Sequence, residues 1–118
     1  MEMKKKENNR RQRRIPLSAE AQVVKLNGGD RIKAELVNIS NYGASLKTTV
    51  PLKSNERIKV SMTLDKQGQV LHSEEVPGIV RYVERSMKTY LVGIKFNMTI
   101  NDTGFPLFNQ CLEYLKTH

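Results

Sequence analysis

The sequence predicts a mainly β chain closed by one C-terminal α-helix. Three observations predict it. From Ala19 to Phe96 apolar residues alternate in runs of strand length, separated by turn residues. After residue 100 the period changes: Phe105, Phe108, Leu112 and Leu115 recur at three- and four-residue spacing, one face of a helix. And 118 residues make about one domain, enough for a single core.

The elements follow in order. Ordered structure is expected to begin near Ile15-Pro16-Leu17, and residues 19–26 read as a strand. Asn27-Gly28-Gly29-Asp30 ends it, because Gly and Asn tolerate the positive φ of tight hairpin turns. In residues 31–39, Ile32, Ala34 and Leu36 alternate, and then the apolar phase slips to Val37 and Ile39. A slip of that kind predicts a bulge, which re-aims the side chains that follow. Residues 44–48 form a short strand with Ala44 and Leu46 on one face, before Pro51 and Ser54-Asn55 break the chain. Residues 56–64 alternate without a fault, with Ile58, Val60, Met62 and Leu64 facing in. Asp65-Lys66-Gln67-Gly68 turns the chain into an extended stretch over 70–84, interrupted by Pro77-Gly78. Ser86-Met87-Lys88 turns again, and residues 89–96 put Tyr90, Val92, Ile94 and Phe96 on one face. Asp102 or Thr103 can cap the final helix, and Pro106 suits its first turn. About six antiparallel strands of this length argue for a small barrel or a sandwich. A barrel leaves no exposed strand edge.

Charge divides the chain differently. Lys and Arg number 20 against 12 Asp and Glu, a net of +8. Residues 1–14 hold seven of the bases and two acids, a net of +5, which leaves +3 for the other 104 residues. Residues 1–14 therefore read as a flexible basic arm, and residues 15–118 as the folded body. Such an arm points to an anionic partner: a nucleotide, a nucleic acid or an acidic membrane.

Several function classes drop out. No apolar run approaches the roughly 18–20 residues that span a bilayer, and no apolar stretch follows the charged start as in a secretory signal. The expected compartment is a reducing cytoplasm. Cys111 is the single cysteine, so neither an internal disulfide nor a cysteine-based zinc site is expected. It lies off the main apolar stripe of the helix and reads as an inert packing residue. His72 reads as a surface residue, and Tyr42, Tyr82 and Tyr90 as core or rim packing. There is no Cys/His pair, no phosphate loop and no paired-histidine metal motif. No catalytic residue and no metal ligand is expected, and an enzyme is not indicated.

Two segments carry chemistry. In Arg10-Arg11-Gln12-Arg13-Arg14, Arg10 and Arg14 form an Arg-x-x-x-Arg pair. A planar guanidinium can clamp phosphate oxygens or stack on a guanine. In Asn38-Ile39-Ser40-Asn41-Tyr42-Gly43, Asn38 offers a donor and an acceptor, Ser40 a hydroxyl, and Gly43 a close backbone approach. Taken alone, that second segment also reads as an Asx-type turn ending in a positive-φ glycine.

Together, in this order, with 24 positions from Arg14 to Asn38, the two segments resemble the PilZ domain. Gly28-Gly29, the last strand Tyr90-Leu91-Val92-Gly93-Ile94-Lys95-Phe96 and the closing helix are similar as well. The resemblance spans about residues 9–116 and implies a six-stranded antiparallel β-barrel with a C-terminal helix. It also implies a receptor for the bacterial second messenger cyclic di-GMP, a regulatory ligand rather than a catalytic cofactor. By position, Arg10 and Arg14 would grip phosphates and guanine faces, and Arg11 would add a phosphate or stacking contact. Asn38 and Ser40 would hydrogen-bond a guanine edge, and Gly43 would let the backbone close on the ligand. Asn38 stands where the family more often has Asp, so altered affinity is expected. Asn9 stands where an arginine tends to accompany a bound ligand dimer, which leaves one ligand or two open.

The expected mechanism is ligand-driven ordering of the arm, which creates a surface for a downstream partner protein. Two alternatives stand beside it. One is a small β-barrel nucleic-acid binder, against which the +3 body shows neither a basic groove nor aromatic runs for base stacking. The other is a PilZ-like module that contacts proteins and binds no nucleotide.

Overall fold

The computed structural model describes residues 15–26, 29–66, 68–101 and 103–117. Its strands are β1 (Ile15–Lys25), β2 (Arg31–Ile39), β3 (Gly43–Thr48), β4 (Arg57–Lys66), β5 (Gln69–His72), β6 (Val76–Ser86) and β7 (Thr89–Phe96). One helix, α1 (Pro106–Thr117), ends the chain. All pairings are antiparallel, in the order β1-β2-β3-β7-β6-β4, and β1 pairs with β4 to close the ring. This is a six-stranded barrel. β5 is an addition to it, paired only with Thr63–Lys66 at the far end of β4.

β4 shows why the barrel closes. Ile58, Val60, Met62 and Leu64 are all buried, and the residues between them face outward. Each such side chain contributes about 1.5–3 kcal/mol on full burial. The helix supplies the plug. Phe108, Cys111 and Leu112 are fully buried, and the Phe108 ring meets Phe96 edge-on at 5.6 Å. Cys111 thus lies on the packed face of α1, not off it. The apolar stripe is wide enough to include the position next to Leu112.

The structure corrects three further expectations. First, β1 begins at Ile15 rather than Ala19, because Ile15 and Pro16 pair with Ile39 and Asn38 across a register shift. Second, the stretch after β4 breaks at residues 73–75, not at Pro77-Gly78. Pro77 lies inside β6 opposite Lys59, and its carbonyl accepts a hydrogen bond from Asn97 N–H at 3.0 Å. Ser73 makes the break: its Oγ accepts the Met62 N–H (2.8 Å), so a side chain takes over a ladder bond and releases the backbone beyond.

Third, the helix is capped from outside its own segment. Asp102 lies outside the described residues, and Thr103 N–H instead donates to Asn101 Oδ1 (2.9 Å). The two N–H groups of the first turn, on Leu107 and Phe108, both donate to the Glu74 carboxylate, at 2.9 and 2.8 Å. Partial burial pushes the Glu74 carboxyl up, but N–H donors from Leu107, Phe108 and its own backbone outweigh it and hold the pKa below the ordinary carboxylate value. The chain therefore leaves the sheet at Ser73 and at once delivers an anion to the helix N-terminus.

Candidate functional site

The predicted bulge in β2 is present. Leu36 pairs with Leu46 and Asn38 with Ser45, so Val37 is the extra residue. Its insertion turns Asn38 outward and returns Ile39, fully buried, to the core. From Asn38 one row of paired residues can be followed across the barrel. Pro16 of β1 pairs with Asn38, Asn38 with Ser45 of β3, Ser45 with Gly93 of β7, and Gly93 with Tyr82 of β6. A second bulge, between Val80 and Tyr82, sets the last member.

Tyr82 lies over this row. A Cβ on Gly93 would overlap the Tyr82 ring, so the ring occupies the place of a Gly93 side chain. Its hydroxyl sits 3.3 Å from Ser45 Oγ. Ser45 is only 3% exposed although it faces outward, because Tyr82 covers it. Tyr82 itself remains 43% exposed. The row thus presents an amide at Asn38 and an open aromatic face at Tyr82, joined through a buried hydroxyl.

The loop after β2 is built by Ser40. Its N–H donates to the Gly43 carbonyl (2.9 Å), and its Oγ accepts the Tyr42 N–H (3.1 Å). The expected turn is therefore a serine turn, and Gly43 does not have positive φ. Glycine is required there for a different reason. A Cβ on Gly43 would overlap the Ile94 carbonyl oxygen, so β7 can approach only a bare backbone. Asn41 ties the loop to the segment after β7 and to α1. Its Nδ2 donates to the Ile100 carbonyl (2.8 Å), its own carbonyl accepts the Ile100 N–H (2.9 Å), and its Oδ1 accepts Lys116 Nζ (3.2 Å).

The structure brings Asn38, Ser40 and Gly43 to one end of β2 and β3. Arg10, Arg11 and Arg14, and the whole predicted arm of residues 1–14, lie outside the described residues. The first described residue, Ile15, pairs with Ile39, between Asn38 and Ser40. Sequence reasoning set Tyr82 aside as packing and did not single out Ser45 or Asn41. A signal for Tyr82 was present: buried Val76, Gly78 and Val80 alternate, and the next core-packed residue is Val83. That second slip marks a bulge just as the slip at Val37 does. An open groove of about 680 Å³, lined by Glu20, Lys33, Glu35, Lys47 and Thr48 among others, runs beside the Asn38 row.

Among the described residues, no three His, Cys, Asp or Glu side chains are grouped to hold a metal ion, and no helix is long and apolar enough to cross a membrane. The chain matches the PilZ domain family model over residues 8–113. Solved structures similar in fold include the two that follow. The Bacillus subtilis inhibitor of motility (MotI/DgrA) superposes with a TM-score of 0.64 at 13% identity, over 89% of this chain and 51% of that one. MrkH of K. pneumonia, in its apo state, superposes with a TM-score of 0.61 at 18% identity, over 88% of this chain and 49% of that one. This chain therefore spans about half the length of each. No curated protein matches it.

Proposed function

This chain belongs to the PilZ domain family, and on that premise we propose that it is a cyclic di-GMP receptor that signals to a partner protein. The observation that carries the proposal is the pairing of Ile15 with Ile39. It starts the barrel, immediately after the Arg-x-x-x-Arg segment, beside Asn38 and Ser40 of the second motif. A ligand at the Asn38 end of the row is then within reach of both segments.

In this reading Arg10, Arg11 and Arg14 contact the phosphates and guanine faces. Asn38 and Ser40 hydrogen-bond a guanine edge, Gly43 lets the backbone come close, and Tyr82 offers its exposed face to a base. Residues 1–14 act as an arm that closes over the nucleotide, on a platform formed by residues 15–118. The closed arm and the barrel together form the surface that a downstream protein reads. The protein acts as a regulator in the bacterial cytoplasm and catalyses no reaction.

Calorimetric titration with cyclic di-GMP tests this, with GTP as control and Arg14→Ala alongside. Saturable binding of cyclic di-GMP, absent for GTP and lost in Arg14→Ala, is the expected result, and its stoichiometry distinguishes one ligand from two. Absence of binding by the wild-type protein would overturn the proposal. Binding that follows polymer length and salt instead of guanine identity would turn the reading toward a nucleic acid.

A further inference from the structure

The outer face of the barrel is electrically lopsided across the Asn38–Ser45–Gly93–Tyr82 row, and we infer that this orients the bound dinucleotide with a phosphate toward Lys95. The inference rests on the cyclic di-GMP reading above.

Sheet register fixes the neighbouring outward rows. On one side, Gly43 pairs with Lys95, Lys95 with Ile79, and Ile79 with Arg57. That row carries two cations and no acid. On the other side, Glu20 pairs with Glu35, Glu35 with Lys47, Lys47 with Leu91, and Leu91 with Glu84. That row carries three acids and one base. Each flanking row is two residues along the strands from the central one, about 7 Å away. A phosphodiester lying over the central row sits within a Debye length of both sides, so neither is screened from it.

The two lysines nearest the row are not equivalent. Lys47 stands directly opposite Glu35, a cross-strand pairing of opposite charge that compensates it locally. Lys95 stands opposite Gly43 and Ile79, which carry no charge. It is exposed, and its ammonium makes no ion pair with any described residue. Its backbone pairs directly with Gly43 of the Asn-x-Ser-x-x-Gly segment, and it lies two residues from Gly93 beneath Tyr82. A flexible stem with an unshared charge at that point can swing onto a phosphate lying across the row. On the opposite side Glu20 is paired with Lys33 at 3.9 Å and Glu35 stands opposite Lys47, which leaves Glu84 as the acid that repels the same phosphate. The barrel therefore adds a cation of its own and draws a phosphate of the ligand toward the Lys95 side of the row.

The test measures cyclic di-GMP affinity at about 50 mM and 500 mM salt for wild type, Lys95→Gln, Lys95→Glu and Glu84→Gln. An exposed ionic contact is worth about two- to fivefold in affinity. Lys95→Gln is expected to weaken binding by about that factor at low salt, and Lys95→Glu by about tenfold, since reversal adds repulsion to the lost attraction. Both deficits shrink at high salt. Glu84→Gln leaves affinity unchanged or tightens it slightly. Lys95 is solvent-exposed, so the variants keep the wild-type thermal midpoint. If wild type binds and both Lys95 variants bind within about twofold of it at low salt, the orientation is overturned and the receptor reading stands. A Glu84→Gln loss equal to that of Lys95→Gln also overturns the orientation. If wild type does not bind, both fall together.

Discussion

Glu74 offers the sharpest test of how this fold holds its helix. Replacing it with Ala removes the acceptor shared by Leu107 N–H and Phe108 N–H. Loss of a helix N-cap costs about 1 kcal/mol, and loss of a negative charge from the positive end of a helix adds about 0.5–1 kcal/mol. The expected deficit for Glu74→Ala is therefore about 2 kcal/mol at neutral pH. For a body of this size that lowers Tm by about 8 °C. Glu74→Gln keeps an acceptor and loses the charge, so it should fall about halfway between. The pH dependence has a definite sign. The folded pKa of Glu74 lies below the ordinary carboxylate value, so the stabilisation is complete above that ordinary value and is lost as pH falls through the lower, folded one. Thermal melts of the three proteins at neutral pH and near pH 3 measure this. The gap between wild type and Glu74→Gln should be present at neutral pH and close in acid. A Glu74→Ala protein that melts within about 1 °C of wild type at neutral pH would refute the capping account. A Glu74→Gln deficit that persists undiminished in acid would refute its electrostatic part.

The other predictions concern the site. Gly43→Ala forces a Cβ onto the Ile94 carbonyl and should cost about 2–3 kcal/mol in a denaturant melt, since backbone cannot yield as a side chain can. Gly93→Ala meets only the Tyr82 ring, which can swing away. It should cost about 1 kcal/mol or less, with a change in the tyrosine near-ultraviolet circular dichroism. Tyr82→Ala should weaken cyclic di-GMP binding by about tenfold in calorimetry, the scale of one base–aromatic stack, whereas Tyr82→Phe retains the ring and stays near wild type. Asn41→Ala removes the bonds to Ile100 and Lys116 and should cost about 1 kcal/mol, with faster amide exchange at Ile100.

Local chemistry made much of the fold legible. β2 and β4 were bounded closely because strict alternation has a single reading when one face is buried. The bulge at Val37 was legible because a slip of phase has few other causes. What escaped was decided between distant segments. Pro77 looked like a break because its ring removes a donor, yet the barrel tolerates it near the start of β6. Ser73 and Glu74 carried no local mark, since their partners are Met62 in β4 and the first turn of α1. Gly43 looked like a turn glycine, and only the approach of β7 gives the actual reason. Asn38, Ser40 and Gly43 could be grouped from the sequence because they are close in it. Tyr82 and Ser45 meet only through the pairing of three strands.

Three register shifts meet at this one row. They fall between Pro16 and Ala19 in β1, between Leu36 and Asn38 in β2, and between Val80 and Tyr82 in β6. A small barrel needs bulges to coil its strands, so their presence calls for no functional cause. Their placement is more informative. Coiling alone would be served by bulges at any strand corner, but here each one adjoins a member of the same paired row: Pro16, Asn38 or Tyr82. Each extra residue flips the side chains beyond it. The amide of Asn38 and the ring of Tyr82 are therefore outward because Val37 and Arg81 are bulged out of the alternation and not counted in it. Pairing Val37 in regular register, with no bulge, would turn Asn38 inward and Ile39 outward, whereas deleting Val37 is expected to keep Asn38 and Ile39 opposite Ser45 and Ala44 and to remove only the bend. The same bulges that bend the barrel thus keep its polar and aromatic groups on one line despite the extra residues.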